Sequence, residues 1–210
     1  MDAISSDRTL VGAADVDLDA VRKPSREEAM EAVRTLIAWA GDDPRREGVI
    51  DTPERVVEAF EEWFSGYHQD PAKELDRTFE DVQGYDDIVF LRDIEVESHC
   101  EHHMAPFLGR ACVAYMPTNR VVGLSKLARV VEIFARRLQT QETLTQQIVD
   151  AINDTLAPAG VAVLIDAEHQ CMTTRGVRHR HVSTVTTRFT GVFKTDRDLQ
   201  QRFMDLATKR

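Results

Sequence analysis

The stretch IVFLRDIEV at 88–96 places Ile88, Phe90, Ile94 and Val96 on even numbers, and FLGRACVAYM at 107–116 continues in β-favouring residues before Pro117-Thr118-Asn119 turns the chain. Alternation of period two is the mark of a strand with one face buried, so a β-hairpin is predicted here. Helices are predicted to either side of it. Upstream, Ser25 and Glu28 form a capping-box pattern ahead of Met30, Val33, Ile37 and Ala40. Asp51-Thr52-Pro53 opens a second helix carrying Val56, Val57, Phe60 and Phe64, and Pro71 to Gly84 reads as loop. Downstream, Leu127, Val130, Val131 and Phe134 make one helical stripe and Leu144, Ile148, Ile152 and Leu156 another. Val161 to Ile165 and 182–193 read as strands, and a last helix begins at Asp196 with Leu199, Phe203 and Leu206. The order predicts an α+β fold of antiparallel hairpins with helices on one face of the sheet. We divide the chain into a mobile leader (1–23), a helical region (24–84) and a catalytic domain (85–210).

Composition narrows the function classes. At 210 residues, 42% hydrophobic and 30% charged, the chain has the make-up of an ordinary soluble domain. It contains no apolar run near the ~18 residues a membrane helix needs, and no signal-like start. Three cysteines are too few and odd in number for a disulfide framework. These features point to a cytoplasmic protein whose thiols stay reduced or bind metal. A net charge of −10 argues against a nucleic-acid binder, and no membrane partner is expected. Within that acidic total, His169 to Thr195 has no acid but carries Arg175, Arg178, Arg180, Arg188 and Lys194. Between Arg120 and Arg137 only Glu132 opposes Arg120, Lys126, Arg129, Arg136 and Arg137. Two cationic runs suit a small polyanion, although either alone is compatible with a solvated face. Neither GxxxxGK[ST] nor GxGxxG is present, so any nucleotide is held by other means.

Two segments carry metal chemistry. Cys100-Glu101-His102-His103 and His169-Gln170-Cys171 each stand at the end of a predicted strand, and thiolate with imidazole is a zinc-type donor set. If Cys100, Cys171 and one histidine of the pair bind, the fourth position is open and the metal is catalytic, acidifying a bound water to a pKa of roughly 7. A closed structural site that also uses His169 is the alternative. Cys112 has no ligand neighbour and reads as a small buried hydrophobe. Gly123-Leu124-Ser125-Lys126-Leu127-Ala128-Arg129 sets a hydroxyl and two cations at a helix start, which favours an anion. Gln141-Glu142 opens the next helix, where the carboxylate either caps the helix or accepts from a donor edge such as that of guanine.

CEHH at 100–103, GLSKLAR at 123–129, QTQETLTQQI at 139–148 and AEHQCMTTRGV at 167–177 together resemble GTP cyclohydrolase I, as do EGVIDTPERV at 47–56 and GVF at 191–193. The resemblance implies the tunnelling fold (T-fold), with subunit sheets joined into a pentameric barrel, two barrels stacked as a homodecamer and active sites between subunits. It implies that Cys100, His103 and Cys171 hold Zn2+ while His102 and His169 move protons. The implied substrate is GTP, opened at C8 with release of formate and closure to 7,8-dihydroneopterin triphosphate for tetrahydrofolate or pterin synthesis. Glu142 would accept from the guanine edge, Gln141 and Ser125 would lie near the ribose, and Lys126, Arg129 and Arg175 would clamp the triphosphate. Three positions depart from the family pattern: Glu58 stands where a phosphate-holding lysine is usual, Val182 where a serine is common, and Arg188 where a small hydroxyl residue is common. The alternatives to this activity are a related tunnel-fold enzyme acting on another purine nucleotide or stopping at a ring-opened product, and a catalytically silent zinc-stabilised binding module.

Overall fold

The computed structural model describes residues 22–76, 78–79 and 85–209. The leader expected over 1–23 therefore lies outside the described residues up to position 21. The chain divides into two compact units, Met1–Glu58 and Ala59–Arg210.

In the first unit, α1 (Arg26–Trp39) is capped by Ser25, whose side chain accepts from the Glu28 amide while the Glu28 carboxylate accepts from the Ser25 amide. This is the reciprocal box expected from the spacing. Gly41, at φ +98°, turns the chain away from it. Glu58 pairs with Arg26 at 3.3 Å, so the carboxylate at the departure position is engaged within its own unit.

The second unit is built on a five-stranded sheet. α2 (Thr52–Trp63) begins in the first unit and ends in the second; after it come α3 (Pro71–Leu75) and β1 (Thr78–Phe79), and the strands β2 (Val89–Cys100) and β3 (Pro106–Met116) form the expected antiparallel hairpin. β4 (Val121–Val122) leads into α4 (Leu124–Ala135), and β5 (Leu138–Gln139) into α5 (Gln141–Leu156). Then come β6 (Gly160–His169), α6 (Gln170–Thr173), β7 (Ser183–Phe189), α7 (Gly191–Thr195) and α8 (Arg197–Thr208). The sheet order is β5-β2-β3-β6-β7, antiparallel except for the short β5-β2 pairing, and β1 pairs separately with β4. The α+β class holds.

Alternation along β3 and β6 sorts side chains into two cores. Ala111, Val113, Tyr115, Val161, Val163 and Ile165 face α4 and α5, where Leu127, Val131, Leu144 and Ile148 meet them with no exposed surface. Cys112, Ala114, Ala162 and Leu164 face the other way and pack with Phe193 and Phe203. The long helices thus cover one face as expected, and α8 adds a smaller apolar layer on the opposite face. Cys112 is a buried core residue.

The parity expected for β2 is corrected by a bulge. Leu91 pairs with Val113 but Ile94 with Ala111, so the Arg92-Asp93 segment holds one residue more than its partner strand, and Asp93 sits at φ +57°. Ile88 and Phe90 consequently join the α8 layer, whereas Ile94 and Val96 join the main core. The stretch expected to be loop from Pro71 is a short helix at first: Asp70 accepts from the Ala72 amide and Pro71 takes the first helical position.

Candidate active site and metal centre

The two ligand segments meet because they flank the same end of β3. His99 pairs with Pro106 on one side and His169 with Phe107 on the other. With strands ~4.8 Å apart, the ends of β2 and β6 lie only about 10 Å from each other, and the loops beyond them close the gap. The first loop is a tight hairpin. The Cys100 amide donates to the Ala105 carbonyl at 2.8 Å, and the Cys100 carbonyl accepts from the His103 and Met104 amides. Met104 completes the turn at φ +53°.

Cys100 Sγ, a His103 ring nitrogen and Cys171 Sγ all lie within 4.8 Å of one another. Cys100 Sγ stands 3.9 Å from His103 Nδ1. A tetrahedral ion with ~2.3 Å bonds to sulfur and ~2.05 Å to nitrogen requires edges of about 3.6 Å, so the soft donor set fits such an ion with small adjustment. Burial, together with the neighbouring Cys100 sulfur, pushes the Cys171 thiol up. A metal captured here therefore displaces a proton. His103 Nε2 accepts from Arg175 Nη1 at 2.8 Å. A neutral imidazole accepting there carries its proton on Nδ1, so ligation and the Arg175 contact are alternative uses of this ring.

His169 is not the fourth member of this cluster. Its ring stacks on Phe107 with centroids 4.6 Å apart and planes inclined at 10°. Its Nε2 lies 2.9 Å from Gln141 Oε1. The Gln141 amide nitrogen donates to the Ile165 and Thr184 carbonyls at 3.1 and 2.8 Å. With the nitrogen so committed, the amide oxygen must face His169, which places the imidazole proton on Nε2 and leaves Nδ1 as the acceptor. Burial pulls the His169 pKa down, partly offset by the Glu142 charge, so the ring is neutral at pH 7. Gln141 is itself 1% exposed, and a ribose contact would compete with the bonds it already makes.

At the mouth of this group His102 Nδ1 lies 3.6 Å from Cys100 Sγ, and the His102 ring is largely exposed. Glu142 is exposed in the first turn of α5, whose cap is Thr140 accepting from the Thr143 amide, so the carboxylate is not needed as a cap. Arg188 lines a small crevice with Glu142, Thr145 and Gln146.

Ser125, Lys126 and Arg129 stand elsewhere. They occupy the start of α4, where β4 joins it, while the end of α4 leads to β5, which pairs with His99 and Cys100. Twelve helical residues separate the two ends, ~18 Å. Within one chain the predicted site residues thus form two groups. Phe107 and Glu74 were not singled out in the sequence, and Gln139 entered only within the 139–148 motif: the Gln139 backbone carbonyl accepts from the Glu101 amide and braces the ligand loop, Phe107 stacks on His169, and Glu74 pairs with Lys126. The β-favouring character of 107–116 was the signal at Phe107.

Cys100, His103 and Cys171, soft donors gathered at strand ends of an α+β sheet, form a group that could hold a metal ion and leave room for a further ligand, a set typical of metal-dependent enzymes. A family model for GTP cyclohydrolase I matches residues 29–208. The chain belongs to the GTP cyclohydrolase I family, and its activity is of the hydrolase class that family carries. It is 72% identical to the GTP cyclohydrolase 1 of Hyphomonas neptunium over 188 residues, 90% of this chain and 91% of that one. It is 65% identical to that of Maricaulis maris, over 98% of each chain. Among solved structures, an apo archaeosine synthase QueF-like protein is similar over 50% of this chain and 93% of its own, at a TM-score of 0.40 and 16% identity.

Proposed function

We propose that the protein hydrolyses GTP at C8 of the guanine ring, releasing formate and forming 7,8-dihydroneopterin triphosphate for tetrahydrofolate or pterin synthesis. The observation that carries this is the convergence of Cys100, His103 and Cys171 from two distant segments. We assign them as ligands of Zn2+, on the softness of two sulfurs and one imidazole. When bound, zinc supplies a Lewis acid that activates water at neutral pH. The remaining steps fall to side chains. Neutral His169 takes and returns protons through Nδ1, its Nε2 being fixed by Gln141. His102, exposed at the rim, serves as the second proton carrier. Glu142 accepts from the guanine edge. Ser125 lies along the ribose, and Lys126, Arg129 and Arg175 hold the triphosphate.

This assignment needs more than one copy of the chain. Lys126 and Arg129 are about one α4 length from the ligand cluster, so a single GTP reaches both groups most directly when one copy supplies the metal end and another the α4 start. A homo-oligomer, built as the tunnelling fold's barrel from catalytic domains 85–210 and stacked as a decamer, answers that requirement. The outer edge of β7, which pairs with no strand among the described residues, offers a place for strand pairing between copies. We place the protein in the cytoplasm, consistent with three cysteines that form no disulfide and with no described helix long and apolar enough to cross a membrane.

Incubation of the metal-loaded protein with GTP tests the reaction: formate and, after oxidation, a fluorescent pterin are expected in equal amounts. Ring opening without a pterin would move the activity to another tunnel-fold reaction.

A further inference from the structure

Lys126 and Arg129 are paired in this chain with a carboxylate from a different element. Glu74 Oε2 accepts from Lys126 Nζ at 2.8 Å and from Arg129 Nη1 at 3.3 Å. The Glu74 and Lys126 side chains are only 29% and 24% exposed. The bond from Lys126, foremost, holds the Glu74 carboxyl below the usual range, so it is ionised at neutral pH. Its position is built in. Asp70 and Pro71 start α3, and the next residue, Leu75, is fully buried in the core cluster that includes Leu127 of α4. The Gly123 cap of α4 makes no side-chain bond and the first turn of α4 carries no acid, while Glu74 of α3 supplies an anion beside this helix start.

We propose that Glu74 is a resident counter-anion of the phosphate clamp, which an incoming polyphosphate displaces or outcompetes, so that Glu74 sets the affinity for the triphosphate. The proposal rests on the clamp assignment of Lys126 and Arg129 made above. One carboxylate shares a single oxygen between two cations, whereas a polyphosphate offers several oxygens and a larger charge. While Glu74 keeps its charge, part of the attraction of both cations is spent internally. The same carboxylate repels the phosphates once they are bound.

The test compares tripolyphosphate binding to the metal-loaded full-length protein, by calorimetry and by competitive inhibition of GTP turnover. Glu74→Gln is expected to bind tripolyphosphate about fivefold more tightly, the range of a partly exposed ion pair, and to lower KM for GTP more than it alters kcat. Glu74→Asp, which withdraws the charge by one methylene, is expected between the Gln variant and the parent. Unchanged or weaker binding in both variants, with Lys126→Ala still weakening it, overturns the role of Glu74. If Lys126→Ala and Arg129→Ala leave tripolyphosphate binding at the parental level, the clamp assignment itself fails, whatever Glu74 does.

Discussion

The His169 ring is oriented by a buried glutamine rather than by solvent. The Gln141 amide is oriented by the Ile165 and Thr184 carbonyls, and its oxygen then dictates which imidazole nitrogen bears the proton. Gln141→Leu removes that control while keeping an apolar side chain in the space. Turnover is expected to fall ~10- to 100-fold, within the scale of lost general acid–base assistance, with metal content unchanged. Loss of metal together with activity would show that Gln141 serves the ligand cluster instead. His169→Ala is expected to abolish turnover with zinc retained, measured by metal analysis beside the formate assay; full activity would remove His169 from the mechanism. At the opposite end of β3 from the metal-ligand candidates, Tyr115 is fully buried and its hydroxyl accepts from the Val122 amide at 3.1 Å. Tyr115→Phe strands that amide, and denaturant unfolding is expected to show a loss of about 1–3 kcal/mol with the fold intact.

At the level of elements, the spacing of β3 against its neighbours decides whether the ligands meet. Gly109 has no room for a side chain: a Cβ there would lie 2.0 Å from the Asp166 carbonyl oxygen and 2.5 Å from Ala167 Cα. Gly109→Ala must push β6 away from β3, at about 3 kcal/mol or more. It should also weaken metal binding, since Cys171 follows β6; retention of parental zinc affinity would break that link. Arg202 of α8 donates to both carboxylate oxygens of Asp87, at 2.8 and 2.9 Å, tying α8 beside the start of β2. The Arg202 guanidinium, foremost, holds the Asp87 pKa below its ordinary 3.8. A depressed acid stabilises the fold above its unfolded value and loses that contribution as pH falls through the folded one. Asp87→Asn should therefore lower Tm at neutral pH and flatten its decline on acidification below about 4; an unchanged acid limb would contradict the pairing. The elements legible in the sequence were those with local signals, such as the Ser25 box and the stripes of α4 and α5. The β2 bulge was hidden because two polar residues, Arg92 and Asp93, separate its apolar halves without showing that one is extra. β4 and β5 have two residues each, too few for any period. The segment 182–193, read as one strand, breaks at Gly191 (φ +50°), where α7 begins.

For the whole molecule, the Cys100, His103 and Cys171 cluster was legible because soft donors are rare and stand in two compact segments. The partners of Gln141 and Glu74 were not, since they lie 24 to 55 positions away in sequence and only folding brings them near. The separation between the ligand cluster and the start of α4 has a direct consequence for assembly. Protomers carrying Cys171→Ala and protomers carrying Lys126→Ala, each expected to be inactive or nearly so, should complement when mixed during refolding. In a random equal mixture about a quarter of shared sites draw both intact halves, so activity should recover to roughly that fraction. No recovery, with mixed oligomers formed, would confine each site to one chain. X-ray absorption at the zinc edge of the purified protein examines the proposed metal centre most directly. Two sulfur neighbours at ~2.3 Å with two nitrogen or oxygen neighbours at ~2.0–2.1 Å, both sulfurs lost in the Cys100→Ala, Cys171→Ala double variant, is the expected result. A sulfur-free shell, or a parental shell that survives the double variant, would contradict it.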